Sequence, residues 1–304
     1  MFLGACAISL RNLARGARRL RSSGVHRVRP ISTGLAESPL AAAGSGTKHF
    51  IAYANCSGVL SVRSDGPHPY RLHSWGLRGA NGAQEVTLNA RRPDMAVGGS
   101  FAYVHSGATL EILDGPLCSS RFTLASEMWL SIPWECVLIG GSGMAVEMSF
   151  AQSPYLNIGG PIEATGRLRY IDGCTDSLLV PPTLLGEPCF NHLHFPPGIG
   201  QTCHTHPSDR VGMVTRGRGR CVVPPSAAAP DGAEIPLVPG VVFEIPEGAP
   251  HSFFTDESHL DVIAWHPDSD FGPQHDDHPM INRTMINGIS AAQIDSVRTA
   301  AAED

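Results

Sequence analysis

The chain carries little charge and few aromatic side chains, and it contains no long apolar run. Charged residues make up 16% of its 304 positions and aromatic residues 7%, whereas hydrophobic residues reach 42%. Disordered chains have the opposite balance, with much charge and little apolar content, so this composition predicts a folded protein. No run of about 18 consecutive apolar residues occurs, so the sequence predicts no span of a membrane.

Acidic residues are absent from the first 36 positions, which contain seven arginines. This composition is typical of an organelle transit peptide, so residues 1–36 are predicted to direct import into mitochondria. A plastid or cytoplasmic location and an untargeted basic tail are the alternatives. Without these arginines, 15 basic residues face 28 acidic ones. A body with this excess of negative charge is predicted not to bind nucleic acid.

The eight cysteines form no C-x-x-C pair, which is the common spacing of structural zinc sites and redox centres. They are scattered, and most lie in apolar runs. We therefore expect small buried side chains and neither disulfides nor a zinc site.

Glycine (33 residues) and proline (25 residues) interrupt the chain often, and short apolar runs lie between these turn signals. Such spacing predicts an all-β sandwich or barrel. A stretch rich in Gly and Pro near residue 160 separates two such segments, which indicates two jelly-roll domains in tandem. The predicted division is a transit peptide (1–36), a linker (37–47), a first barrel (48–153), a second linker (154–165), a second barrel (166–268), and a C-terminal loop with a short helix within 290–301 (269–304).

Three histidines of the second segment have the spacing of a metal site. His204 and His206 are two residues apart, so on a strand they project from the same face. The turn residues Pro246 and Gly248 lead into His251. Three imidazoles that converge from neighbouring strands predict a mononuclear metal centre. Cys203 alternates to the other face and is not expected to bind the metal.

The two stretches around these histidines resemble the two sequence motifs of the cupin superfamily. The matching positions are Gly198, His204, His206 and Gly217 in the first motif and Gly240, Pro246, Gly248 and His251 in the second, with Thr255 at a position where the family has Asn. The resemblance implies tandem double-stranded β-helix domains, an all-β fold, with His204, His206 and His251 as the metal ligands.

One position departs from that pattern, because Arg210 stands where the family has a metal-binding Glu. Asp209 is adjacent but one residue out of register, so its side chain is expected to face the other way. A set of three histidines without a carboxylate resembles the three-histidine cupin dioxygenases, which include thiol dioxygenases, diketone-cleaving enzymes, and the two-domain gentisate and salicylate ring-cleaving enzymes.

This resemblance implies an Fe(II) dioxygenase that combines dioxygen with a small anionic substrate, a carboxylate or a thiol. Two alternatives stay open. A lyase or isomerase could use Zn(II) or Mn(II) at the same histidines, and a cupin without enzymatic activity could bind a small ligand. The fold and the ligands do not fix the reaction.

Three further residues are candidates for catalytic roles. Register places Arg210 on the face of His204 and His206, where its charge would lie beside the metal. Either a substrate carboxylate or a nearby acid, Asp209 or Asp261, would offset that charge. His192 and His194 share a face of the strand that leads into the motif. They are interpreted as acid–base groups of the pocket or, equally, as hydrogen-bonded residues of the barrel.

The first segment resembles a cupin domain that has lost its motif. Ala125-Ser126-Glu127 and Ile132-Pro133-Trp134 approximate the second motif, Leu138 stands near the place of the closing histidine, and no His-x-His precedes them. We expect no metal there and a packing role between domains or between subunits, the latter in a homodimer. In the second segment, the loop rich in His and Asp at 266–279 is interpreted as a rigid loop that leaves the barrel and could cover its mouth, with a second metal site as the alternative. The basic run at 216–220 is interpreted as a solvated hairpin, with phosphate or RNA binding as the alternative.

Overall fold

Short antiparallel strands account for most of the regular secondary structure of the computed structural model, which describes residues 49–77, 83–90, 98–149, 154–226, 230–274 and 278–298. The predicted transit peptide and the first linker lie outside the described residues.

Eleven strands lie among the described residues before position 160. They are β1 (Ile51–Tyr53), β2 (Gly58–Arg63), β3 (Tyr70–Trp75), β4 (Glu85–Leu88), β5 (Gly99–Ser106), β6 (Ala108–Ile112), β7 (Arg121–Leu124), β8 (Met128–Ile132), β9 (Cys136–Ile139), β10 (Ser142–Met148) and β11 (Asn157–Gly159).

The remaining strands and one short helix follow. They are β12 (Leu168–Arg169), β13 (Thr175–Val180), β14 (Cys189–Phe195), β15 (Arg210–Gly217), β16 (Gly219–Val223), β17 (Ala233–Leu237), β18 (Val242–Ile245), β19 (Ser252–Phe254), β20 (Leu260–His266), α1 (Pro279–Arg283), β21 (Met285–Ile286) and β22 (Ile289–Ser290).

The same strand order occurs twice, which makes the fold a tandem jelly roll. In the first half, one sheet contains the order β8-β5-β10-β3 and the facing sheet has the order β4-β9-β6-β7. In the second half, one sheet contains β18-β15-β20-β14 and the other is β17-β16-β19. A bridge between His204 and His251 extends this last sheet in the place that β4 holds in the first half. The predicted all-β fold class is confirmed.

The strands at the centre of each large sheet are buried on both faces. Every residue of β10 is buried. Alternate residues project to opposite sides of a strand, so both faces of β10 are covered. Ala145 packs inside the first barrel, whereas Met144 and Val146 pack in a second core shared with residues of the other half, among them Trp265 of β20. The two large sheets therefore face each other, and the aromatic pair Phe101 and Phe190, with ring centroids 6.1 Å apart, joins them.

The first strand of the described chain belongs to the second large sheet. β1 pairs antiparallel with β18, with Ile51 opposite Glu244 and Tyr53 opposite Val242. In the first half, β11 takes the matching place beside β8. Each barrel is thus completed by a strand from outside the repeated order, and β1 lies at the edge of the barrel that holds the three histidines.

The C-terminal region differs from the predicted helix over 290–301. The described part contains two 3-10 turns, Ala291–Gln293 and Asp295–Val297. Ile294 between them has an extended backbone, with φ −121° and ψ 94°, so no continuous helix forms. The α-helix of this region, α1, lies earlier and has five residues. Among the described residues, no helix is long and apolar enough to cross a membrane.

Candidate metal centre

The structure brings the imidazoles of His204, His206 and His251 together at one end of the second barrel. One ring nitrogen from each side chain lies within 4.8 Å of those of the other two. The ring centroids are 4.6 Å apart for His204 and His251 and 5.2 Å apart for His206 and His251. Three imidazole nitrogens this close together could hold a single metal ion.

Backbone carbonyl groups fix the orientation of two of these rings. A carbonyl oxygen can only accept, so Nδ1 of His204 donates to the oxygen of Thr202 at 2.8 Å. Likewise, Nδ1 of His251 donates to the oxygen of Ala249 at 3.0 Å. In a neutral imidazole with its proton on Nδ1, Nε2 keeps a free lone pair. Both rings are therefore held in the tautomer that presents Nε2 as a metal ligand.

The surroundings keep two of the imidazoles neutral. Burial, together with the positive charge of Arg210, lowers the pKa of His206 to about 3. Burial lowers the pKa of His251 to about 4, although its hydrogen bond to Ala249 opposes the shift. Only the unprotonated ring binds a metal. These side chains are thus in the metal-binding form at neutral pH, and no proton has to leave before a metal enters.

A tight turn holds the two ligand segments against each other. The N–H of Gly248 donates to the oxygen of His206 at 2.9 Å, and the N–H of Ala249 donates to the oxygen of Pro246 at 3.1 Å. Gly248 has φ +68°, a left-handed conformation that glycine adopts without a steric penalty. This glycine allows the chain to reverse just before His251, and the turn places that residue opposite His204.

The three histidines open into a cavity of about 530 Å³ between the two sheets of the barrel. Its walls near the sheets are apolar, with Phe195, Phe243 and Phe253 among the lining residues. Its remaining lining is polar and contains one guanidinium and three carboxylates. These charged residues are Arg210, Asp176, Asp268 and Asp270. The volume is that of a pocket for a small organic molecule.

Arg210 lines this cavity, as its register predicted, and it is held from one side. Its Nη1 donates to the hydroxyl of Ser208 at 2.5 Å and to the backbone oxygens of Ser208 at 3.1 Å and Asp209 at 3.2 Å. The hydroxyl of Ser208 in turn donates to Asp268. Burial lowers the pKa of Arg210, yet a guanidinium stays charged in proteins.

Neither Asp209 nor Asp261, the two acids expected beside Arg210, forms an ion pair with it among the described residues. Asp209 accepts from the N–H of Glu247 at 2.8 Å and from the hydroxyl of Tyr70 at 3.2 Å, so it faces away from the cavity, as its register predicted. The acid nearest Arg210 is Asp268, with Oδ1 3.9 Å from Nη1. Asp268 belongs to the loop after β20, which lies beside β15 in space and far from it in sequence.

His192 and His194 do not line the cavity. On β14 the alternate residues Asn191, Leu193 and Phe195 face it, which directs the two histidines to the opposite side. There, Nδ1 of His194 lies 2.6 Å from Oδ1 of Asp261, and His192 is fully buried. Of the two interpretations given for this pair, the structure supports residues that pack in the barrel wall, and it does not place them as acid–base groups of the pocket.

Sequence reasoning missed several residues of the cavity. His266, Asp268, Ser269 and Asp270 line it. The first part of the loop rich in His and Asp therefore forms part of the cavity wall, whereas the sequence favoured a loop that leaves the barrel with solvated acids. Asp176 lines it from β13, and no motif in the sequence distinguishes this acid from others on the surface.

The basic run at 216–220 is paired rather than freely solvated. Nε of Arg216 donates to Glu127 at 2.5 Å, and Nη1 of Arg220 donates to Asp256 at 2.7 Å. Arg220 also lies over the ring of Phe254, with 5.2 Å to the centroid. These contacts neutralise two of the three arginines of the run.

In the first barrel, Cys136 holds the place of the closing histidine, two residues before the expected Leu138. Leu138 pairs with Leu110, the third residue of β6, and in the second barrel Phe253 pairs with the third residue of β16. Leu138 therefore corresponds to Phe253, and Cys136 to His251. Cys136 pairs with Leu88 as His251 pairs with His204.

Buried polar side chains occupy the interior beside Cys136. Glu147 is fully buried, lies 2.6 Å from Nε2 of His73 and accepts from the N–H of Asn89 at 2.7 Å. The hydroxyl of Ser100 donates to the side chain of Asn89 at 2.5 Å. Hydrogen-bonded side chains thus fill the interior of the first barrel. In the second barrel, the corresponding region is the cavity with its charged lining.

No protein-family model matches the chain, and no curated protein matches it in sequence. Among solved structures, similarity is found to a cupin 2 conserved barrel domain protein from Leptotrichia buccalis, with 14% identity, coverage of 74% of this chain and 91% of the other, and a TM-score of 0.44. Protein Ylba from E. coli is also 14% identical, with coverage of 74% of this chain and 93% of the other and a TM-score of 0.47.

Salicylate 1,2-dioxygenase from Pseudoaminobacter salicylatoxidans, solved as a mutant with gentisate, is 10% identical, with coverage of 65% of this chain and 68% of the other and a TM-score of 0.42. At these identities the likeness concerns the fold alone. The tandem jelly-roll fold and the three-histidine group are both seen in this chain itself.

Proposed function

We propose that the chain is a mononuclear metal-dependent enzyme, an Fe(II) dioxygenase that acts on a small anionic substrate in the cavity of the second barrel. The observation that carries the proposal is the donor set. Three imidazoles converge within 4.8 Å, and the fourth position of the motif carries an arginine. Three neutral ligands leave up to three positions of an octahedral ion for a substrate and dioxygen.

The histidines would hold the metal through ring nitrogens that are already oriented. The carbonyl groups of Thr202 and Ala249 direct Nε2 of His204 and His251 toward the cavity, so little reorganisation accompanies binding. When bound, Fe(II) would supply Lewis acidity and electron transfer. The apolar side chains of Phe195, Phe243 and Phe253 line the cavity and exclude water from the reacting groups.

Arg210 supports the choice of an anionic substrate. Within the part of the chain that the structure describes, its hydrogen bonds all involve Nη1, so Nε and Nη2 remain available for a ligand. These two nitrogens form one edge of the planar guanidinium, and a carboxylate binds such an edge through two parallel hydrogen bonds. The backbone and Ser208 therefore orient the arginine, and its free edge would hold the substrate next to the metal.

The test is a metal analysis of the full-length protein purified without oxygen, followed by oxygen-uptake measurements with small carboxylic acids and thiols. The expected result is one iron per chain and oxygen uptake with at least one compound, both lost in His251→Ala. Retention of Zn(II) or Mn(II), with turnover that consumes no oxygen, would replace the dioxygenase by a lyase or isomerase. Stoichiometric binding of a compound without any turnover would indicate a ligand-binding cupin.

A further inference from the structure

Asp176 lies on β13 and lines the cavity that the three histidines also line. It pairs with Leu193 across the strands, and directly opposed residues of an antiparallel pair share a face of the sheet. Leu193 also lines the cavity. The amide of Asn191 donates to Oδ2 of Asp176 at 3.0 Å, which fixes the orientation of the carboxylate.

The charge of Asp176 has no partner of opposite sign. Within the part of the chain that the structure describes, it forms no ion pair with an arginine, lysine or histidine, and its Oδ1 accepts no hydrogen bond. Burial raises its pKa, because desolvation disfavours the ionised form. A partly buried carboxylate with a single amide donor is incompletely compensated. A cation with N–H groups, bound in the cavity, would stabilise it.

The other charged residues of the cavity do not pair with the carboxylate of Asp176. Arg210 is held by Ser208 and lies 3.9 Å from Asp268, and Asp270 adds a third carboxylate at the exposed edge of the cavity. One guanidinium and a divalent metal together balance three carboxylates. A ligand without net charge, which carries one positive and one negative group, therefore leaves the cavity neutral.

We propose that Asp176 binds the ammonium group of the substrate, so that the cavity selects a small zwitterion whose carboxylate is held by Arg210. This inference rests on the proposed function and narrows it: the anionic group of the substrate is the carboxylate of a zwitterion, so the whole substrate carries no net charge. Asp176 is a specificity-determining residue in this arrangement. It discriminates against the corresponding acid without the amino group, which would leave its carboxylate uncompensated.

The experiment is isothermal titration calorimetry on the full-length protein, loaded with redox-inert Zn(II) and also metal-free. The probes are linear ω-amino acids with two to six carbons, each compared with the carboxylic acid of the same chain length that lacks the amino group. At least one ω-amino acid is expected to bind about tenfold more tightly than its matched acid, as a retained ion pair in a partly buried site would give.

Asp176→Asn tests the assignment to this residue, because it removes the charge and keeps a group that can accept from Asn191. The tenfold advantage of the amino acid should disappear, because the variant neither binds the ammonium group nor repels the matched acid. Asp295→Asn makes the same change at an exposed residue outside the cavity and should retain the advantage.

The proposal is overturned if no ω-amino acid binds better than its matched acid, or if Asp176→Asn retains the full advantage. The first comparison uses only the unaltered protein, so it does not depend on the folding of a variant. Failure of the proposed function is a separate result. It would show as absence of bound metal or of turnover, whereas the preference for a zwitterion is measured by binding alone.

Discussion

The hydroxyl of Tyr70 donates to Oε1 of Glu244 at 2.9 Å, and this bond joins the two barrels. Glu244 lies on β18 and is 1% exposed. The hydroxyl of Tyr53 donates to its other oxygen at 2.7 Å, and Nε of Arg63 lies 3.9 Å away. The carboxylate thus accepts hydrogen bonds from residues of β1 and β3 and forms an ion pair with a residue of β2.

Replacing Glu244 by Ala should destabilise the whole chain. The change removes the acceptor of the buried Tyr53 hydroxyl, one of the two acceptors of the Tyr70 hydroxyl and the ion-pair partner of Arg63. A loss of about 3 kcal/mol in the free energy of unfolding is therefore expected. Urea denaturation followed by tryptophan fluorescence measures it. Glu257→Ala, at a residue outside the barrel contacts, serves as the control with little change. Equal stability of the two variants would contradict a structural role for Glu244.

Alanine at any of the three clustered histidines should abolish stoichiometric metal binding. Two imidazoles that remain cannot hold the ion at the affinity of three, and the loss of one ligand is expected to weaken binding by at least about 100-fold. Metal content after dialysis, measured by mass spectrometry, is the readout. His68→Ala, away from the cluster, should keep one metal per chain. A His204→Ala/His206→Ala/His251→Ala protein that retained one metal per chain would refute the ligand set.

Arg210→Lys should raise KM for the anionic substrate about tenfold, although the charge is kept. Lysine has no planar edge with two N–H groups, and it cannot reproduce the bonds that Nη1 makes to Ser208 and to the backbone. Steady-state kinetics with the compound found by oxygen uptake would measure the change, with kcat affected less than KM. Unchanged KM and kcat in Arg210→Ala would show that Arg210 does not bind the substrate.

Alkylation of cysteines should distinguish the filled interior of the first barrel from the surface. Burial raises the pKa of Cys136 to about 12, so almost none of it is thiolate at pH 8, and the thiolate is the reactive form. Cys118 and Cys203 are exposed. After brief treatment with iodoacetamide at pH 8, peptide mass spectrometry should find these two modified and Cys136 intact.

The same treatment in guanidinium chloride is the control, because the unfolded chain exposes every thiol. Rapid modification of Cys136 in the folded protein would mean that reagent reaches the interior of the first barrel.

The repeated strand order and the placement of the three histidines could be read from sequence because both depend on local patterns. Turn residues at short intervals mark strands, and a spacing of two residues fixes the common face of His204 and His206. The turn at Gly248 fixes where His251 returns. For these residues, neighbours in sequence determine neighbours in space.

Other parts of the site depend on contacts between distant segments. Asp268 reaches Arg210 through Ser208 only because the loop after β20 folds back beside β15. Asp176 faces the cavity because β13 pairs with β14 in a particular register. The same pairing directs His192 and His194 of β14 away from the cavity. Their spacing in sequence shows that they share a face of the strand, but it does not show which face lines the cavity.

The pairing of β1 with β18 affects the order in which parts of the fold can form. Tyr53 and Glu244 are 191 residues apart in sequence, so during synthesis the first strand emerges long before its partner exists. Closing so long a loop is slow in comparison with the formation of local hairpins. The edge next to the histidine barrel therefore closes late, and until then β1 presents unpaired backbone groups that chaperones, or other chains, can bind.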